Sequence, residues 1–284
     1  MIAAVFPNFQ KKNAYTAALE VCGILNKMGI GITVDERYGE YYKNIPYVIP
    51  DTRENAAGMS DVIIAIGGDG TILRCSDCAS DLGKPLLGIN TGRLGFMASM
   101  ETDELYYLNK LVTGDYTVDE RMMLDAEIID GDGRSEHHTA LNDVIVSCPY
   151  SAIADFEVSV GGRTVSRLRA DGVIFSTPTG STAYGVSAGG PILEPCLDCI
   201  EFTPICPHSL SSRTILFSSA HRLELRHESE KNDIYFTVDG KPGRPIENSD
   251  RVIISKSEKK LKLIDIKGFS FYDAVNNKLM RPIK

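Results

Sequence analysis

The chain has 284 residues, 43% hydrophobic and 24% charged, with a net charge of −8. That is ordinary soluble globular composition, enough for one large domain or two smaller ones. The negative balance argues against generic binding to a nucleic-acid backbone, yet it leaves room for a local basic patch that takes a small anion. No apolar run approaches the ~20 residues that cross a bilayer, and the start MIAAVFPNFQKKN lacks the n- and h-regions of a signal peptide. Seven cysteines, an odd number, read as free thiols in a reducing cytoplasm.

The first hundred residues alternate in type. Ile2–Phe6 is a short apolar run, residues 13–28 carry apolar side chains at helical spacing, and Gly29–Val34 reads as a strand. Val62–Ile66 predicts another strand, 71–80 a helix, Pro85–Ile89 a strand and 101–113 a helix. Strands separated by helices and apolar almost throughout indicate a parallel sheet covered on both faces. After about residue 117 the pattern becomes short strands: 125–130, 140–147, 156–160, 164–168, 173–176, 214–218, 222–226, 234–238, 252–256 and 261–266. Gly161-Gly162 suits a hairpin turn, and only 182–190 and the final stretch suggest helix. The expected fold class is therefore an α/β N-terminal domain followed by a β-rich region, with an amphipathic tail able to pack back.

The stretch DVIIAIGGDGTILR (61–74) ends a buried strand in a glycine turn. Glycines let a backbone approach phosphate closely, and N–H groups at the following helix start favour anions, with Thr71 as the expected N-cap. The pattern is neither G-x-x-x-x-G-K-[ST] nor G-x-G-x-x-G. Arg74, one turn on, adds a positive charge. Asp69 repels phosphate, so it is either a turn aspartate bonded to backbone or a carboxylate that meets a hydroxyl nucleophile. Spacing alone leaves these readings even. Cys75/Cys78 and Cys196/Cys199 have CxxC spacing, but no histidine stands at finger-like distance, and structural thiols are the expected reading. His208 is read as structural, His137 and His138 as a solvated hairpin tip, and Arg93 equally as a cleft or a surface residue.

Arg169 to Pro191 forms a second motif, a strand running into a turn rich in Ser, Thr and Gly, with Tyr184 offering a ring face. Hydroxyls and amides there suit ribose and phosphate oxygens. GGDGT (67–71), Asn142-Asp143, LRADGVIFSTPTGSTAYGVSAGGPI (168–192), PICPHSLSSR (204–213) and Val238-Asp239-Gly240-Lys241 together resemble the NAD kinases. GGDGT is shared with lipid and sugar kinases; STPTGSTAY is far more specific. Thr214 and Lys241 depart from the residues common in that family.

The resemblance implies ATP-dependent phosphorylation of the 2′-hydroxyl of the adenosine ribose of NAD, giving NADP. Asp69 would accept the proton. Gly68 and Gly70 would hold phosphate or NAD, and Asn142 and Asp143 would make polar contacts to NAD. Arg169, Asp171, Thr182, Ala183, Tyr184, Gly185, Val186, Ser187 and Lys241 would complete the dinucleotide site. It further implies a divalent ion, Mg²⁺, carried on the triphosphate without a named protein ligand, and a homodimer or homotetramer. The domains would be 1–117 (α/β), 118–265 (β-rich, NAD-binding) and 266–284, returning to the first. Alternatives are another GGDGT-type kinase acting on a lipid or sugar, or a non-catalytic dinucleotide-binding regulator.

Overall fold

The apolar runs of the first hundred residues form a parallel sheet. The computed structural model describes residues 1–92, 95–150, 152–209, 211–229, 233–268 and 271–278, so Arg93 lies outside the described residues. Strands lie in the order Val48–Asp51, Gly31–Asp35, Ile2–Pro7, Val62–Gly67, Pro85–Asn90, and each neighbouring pair is parallel. Lys262 and Leu263 add beside Pro85 and Leu86, also in parallel. Every residue of Val62–Gly67 is buried, as expected for a central strand covered on both faces. Helix Ala14–Lys27 turns Ala14, Ala17, Ala18, Val21, Cys22 and Leu25 inward, a stripe at helical period. Residues 1–120 and 260–284 make one compact unit, and 121–259 a second. Helix Phe271–Lys278 belongs to the first, with the Phe271 ring 6.4 Å from that of Phe96.

The second unit is built from antiparallel strands. One sheet runs Ile215–Ser218, Cys199–Ile205, Gly172–Ser176, Asp143–Ser147, Ile234–Val238, Arg244–Ile246. Arg163–Ala170, Ala154–Val160, Leu223–Glu228 and the segment 252–254 form a further set. Alternate residues from both sets, such as Phe156, Val158 and Leu225 against Val146, Phe175 and Phe202, share one core, as sandwiched sheets do. Gly161 and Gly162 both take positive φ (57° and 76°), the backbone a two-residue hairpin needs.

Several local expectations change. Residues 140–147 are two strands, Ser135–Ala140 and Asp143–Ser147, broken at Leu141-Asn142. His137 and His138 lie in the first of these, not at the tip, which is the 130–134 turn. Strand Cys199–Ile205 was not expected, because Glu201 and Pro204 disguise its alternation. Val48–Asp51 and helix Arg53–Met59 were too short to register as periodic. Segments 252–256 and 261–266 form one strand, Arg251–Asp265. Residues 101–113 start as 3₁₀ helix and finish with Lys110–Thr113 in α geometry, and 182–190 holds only the short helix Tyr184–Ser187.

Candidate active site

The helix after GGDGT starts earlier than expected. It runs Asp69–Asp81 with Gly68 at the N-cap, so Thr71 is not the cap. The Thr71 N–H instead donates to the Gly68 carbonyl at 2.7 Å, and its Oγ1 accepts from Arg74 Nη2 at 3.3 Å. A Cβ on Gly67 would come within 2.2 Å of Thr71 Oγ1, so glycine is required there for packing. Among the described residues, a Cβ on Gly68 or Gly70 would meet nothing within 4 Å. Neither has positive φ. Bare backbone at those two positions opens space rather than relieving strain.

Asp69 stands in the first turn of that helix, where the amide dipoles favour a negative charge. Its Oδ2 accepts from the Phe96 N–H at 2.9 Å and its Oδ1 from the Met97 N–H at 3.2 Å. Lys278 Nζ lies 3.3 Å from Oδ2 and 4.5 Å from the centre of the Phe96 ring. A Cβ on Gly95 would sit 1.7 Å from Asp69 Oδ1, so the loop must be bare where the carboxylate docks. The side chain remains 28% exposed. A carboxylate has about four lone-pair positions; three donors leave capacity for a hydroxyl. Gly95, Phe96 and Lys278 were not singled out from sequence, since their partner is separated from them by loop or by most of the chain.

In the second unit, Asn142 and Asp143 sit at a corner organised by Asp239. That carboxylate accepts from the N–H groups of Leu141 (2.8 Å), Asn142 (2.8 Å) and Asp143 (3.0 Å). Asp239 itself is buried, with φ 51°, and Gly240 follows at φ 67°. Burial, and then the neighbouring Asp239 charge, push the Asp143 carboxyl up to about 7, against the backbone N–H of Tyr184. Burial also raises Asp239, opposed by its three N–H partners and Lys241. The VDG sequence holds the signal for this corner, an aspartate and a glycine in a tight turn.

The Ser/Thr-rich loop is fixed by its own hydroxyls. Thr177 donates to the Leu141 carbonyl at 2.5 Å, and the Thr177 N–H to the Asn142 carbonyl at 2.9 Å. Ser181 Oγ donates to the Pro178 carbonyl at 2.7 Å and accepts from the Leu193 N–H at 3.0 Å. Buried Arg121 Nη1 lies 3.3 Å from Thr179 Oγ1. A Cβ on Gly180 would fall 2.0 Å from the Asn142 carbonyl oxygen. These contacts bring Asn142, Asp143 and the loop bearing Thr182, Ala183, Tyr184, Gly185, Val186 and Ser187 together. Tyr184 and Ser187 are exposed, Thr182, Ala183 and Val186 partly so, and Gly185 is buried.

Arg169 and Asp171 are not brought to that corner. Gly172–Ser176 runs from Asp171 at one end to Thr177, beside Asn142, at the other, a span of about 20 Å at strand rise. Arg169 pairs with Asp155 at 3.1 Å, and the backbone of Asp171 bonds Cys148 and Ile205. The His208 N–H donates to the Arg169 carbonyl at 2.9 Å. Cys75 and Cys78 lie on the Asp69–Asp81 helix, and Cys75 Sγ is 3.0 Å from Arg53 Nη2.

Family models described as the ATP-NAD kinase N-terminal domain and the ATP-NAD kinase C-terminal domain match residues 4–116 and 141–266. The chain is 41% identical over 226 residues to an NAD kinase of Symbiobacterium thermophilum, covering 79% of this chain and 80% of the relative. It is 37% identical over 229 residues to one of Geotalea daltonii, covering 80% and 81%. The fold matches yeast NADH kinase complexed with NADH at a TM-score of 0.88 and 23% identity, over 99% of this chain and 87% of that one. An Archaeoglobus fulgidus NAD kinase in complex with ATP matches at 0.73 and 26%, over 98% of each chain. On these matches the chain belongs to the ATP-NAD kinase family and is an enzyme of the kinase class.

Proposed function

We propose that this enzyme transfers the γ-phosphoryl group of ATP to the 2′-hydroxyl of the adenosine ribose of NAD, with Asp69 as the proton acceptor. The observation that carries the reading is the Asp69 carboxylate, placed at an open glycine turn and held by two backbone N–H groups with capacity left to accept. The NADH bound to the yeast protein and the ATP bound to the archaeal one support the two substrates.

A ribose hydroxyl is too weak an acid to ionise at neutral pH. Asp69 therefore orients the hydroxyl and takes its proton late, as the oxygen bonds to phosphorus. Gly68 and Gly70 let phosphate approach the amides at the helix start, and Arg74 adds positive charge nearby. Asn142, Asp143 and the loop from Thr182 to Ser187 grip the dinucleotide, with Tyr184 against a ring and Lys241 flanking the Asp239 corner. Alignment supplies most of the acceleration. Among the described residues, no group of three or more His, Cys, Asp or Glu is placed to hold a metal. Mg²⁺ keeps water and takes only one or two protein carboxylates beside substrate phosphates, so it would be carried by the triphosphate without an assigned protein ligand. When bound, such an ion neutralises charge on the phosphate oxygens.

Arg169 and Asp171 stand too far along their strand to join the Asn142 corner of the same chain. A homodimer or homotetramer would let them serve the dinucleotide of a second copy. A cytoplasmic setting accords with free cysteines. The test is incubation of purified protein with ATP, NAD and Mg²⁺, with NADP identified by mass and 2′-phosphate NMR. NADP formation is expected; its absence with both Mg²⁺ and Mn²⁺ would sink the reading.

A further inference from the structure

The first unit carries a ring cluster that the proposed chemistry does not use. Phe9 lies 4.8 Å from both Tyr38 and Tyr41, centre to centre, and Tyr15 lies 5.4 Å from Tyr41 and 6.2 Å from Phe9. Phe9 and Tyr38 pack against the core of the unit, which makes them a firm floor. Tyr15 and Tyr41 stay 46% and 49% exposed. These two leave about half of their ring surface free for a further flat group.

Their position in the topology gives the cluster a use. Chain order runs outward from Ile2–Pro7 through Gly31–Asp35, and in the opposite direction from Val62–Gly67 through Pro85–Asn90. The switch point therefore lies between Ile2–Pro7 and Val62–Gly67, and ligands of open parallel sheets bind beyond the strand ends at such a point. The Asn8 N–H donates to the Ile66 carbonyl at 2.9 Å, tying the residue before Phe9 to the residue before the glycine turn. Tyr38 and Tyr41 follow the end of Gly31–Asp35, two strands from Asp69, or about 10 Å at normal strand spacing. A ribose and triphosphate bridge that distance. Exposed Lys11 and Lys12 stand on the intervening loop.

We propose that the Phe9, Tyr15, Tyr38 and Tyr41 cluster seats the adenine base of the phosphate donor, while its triphosphate lies on the Gly67–Thr71 turn. This rests on the proposed function for the identity of the donor. Base–aromatic stacking is sensitive to loss of a ring but tolerant of which ring provides it.

Calorimetric titration with ADP, in the presence of saturating NAD to fill the dinucleotide site, tests the seat directly. Inorganic tripolyphosphate, which has no base, is the companion probe. In the Tyr15→Ala/Tyr41→Ala variant ADP should bind roughly tenfold more weakly, with tripolyphosphate affinity and melting temperature unchanged. The single Tyr41→Ala change should show a smaller loss, and Tyr15→Phe/Tyr41→Phe should restore ADP binding. Equal ADP affinity in the unaltered and alanine proteins overturns the proposal, as does parallel weakening of tripolyphosphate. If the unaltered protein made no NADP, the proposed function would fail, and the ADP titration would still decide the base seat.

Discussion

Asp69 and Asp239 are both aspartates that accept backbone N–H groups, and they are built for opposite purposes. Asp239 is buried and spends its carboxylate on three amides of one corner. Asp69 takes two amides and a lysine while remaining partly exposed beside bare glycine backbone. One arrangement freezes a loop. The other holds a carboxylate still and leaves it reachable.

The largest expected effect follows from that contrast. Asp69→Asn should cut turnover about 10³-fold, measured as NADP formation under saturating substrates, with little change in melting temperature. Asp239→Ala should do the reverse. It strands three buried N–H groups and should cost about 3 kcal/mol or more in denaturant unfolding. Loss of NADP formation in proportion to the unfolded fraction, and no further, would support a purely structural Asp239.

Two glycines sharpen the comparison. Gly180→Ala drives a Cβ into the Asn142 carbonyl and should lose about 3 kcal/mol of stability. Gly95→Ala drives one into the Asp69 carboxylate itself and should lower turnover about 10²-fold with a smaller loss of stability. If both variants lost stability alone, the distinction between the two aspartates would collapse.

The pH dependence offers a third route. The Asp143 carboxyl is raised from its ordinary range to about 7 by burial and the Asp239 charge. The folded state then binds more protons than the unfolded state between about pH 4 and 7, so folding must take up a proton on Asp143 and stability falls as pH rises through that window. Urea unfolding should show Asp143→Asn free of this slope, gaining about 2 kcal/mol relative to the unaltered protein between pH 5 and 7. The smallest effect belongs to Tyr184→Ala, which should raise KM for NAD roughly fivefold and leave KM for ATP alone.

The sequence made the parallel strands and their intervening helices legible because burial on both faces leaves apolar runs that need no partner to be recognised. Strand Cys199–Ile205 escaped because Glu201 is wholly buried within it, and a buried acid breaks the expected polarity pattern. The glycine turn and the STPTGSTAY loop were legible as local motifs. Gly95, Phe96 and Lys278 were not, since their relation to Asp69 comes from packing across 26 to 209 residues. Asp239 lies in the Val238-Asp239-Gly240-Lys241 motif, yet its hydrogen bonds from Leu141, Asn142 and Asp143 reach across about a hundred positions. Arg169 and Asp171 sit in the same stretch of sequence as the loop, and an intervening strand carries them to its other end.

In the proposed mechanism Asp69 serves the chemistry and not the grip on NAD. Isothermal titration of NAD into Asp69→Asn, without a phosphate donor, tests it most directly. The dissociation constant should stay within about threefold of that of the unaltered enzyme, since a carboxylate that acts late contributes chiefly in the transition state. A tenfold or greater weakening would contradict it and make Asp69 a binding residue.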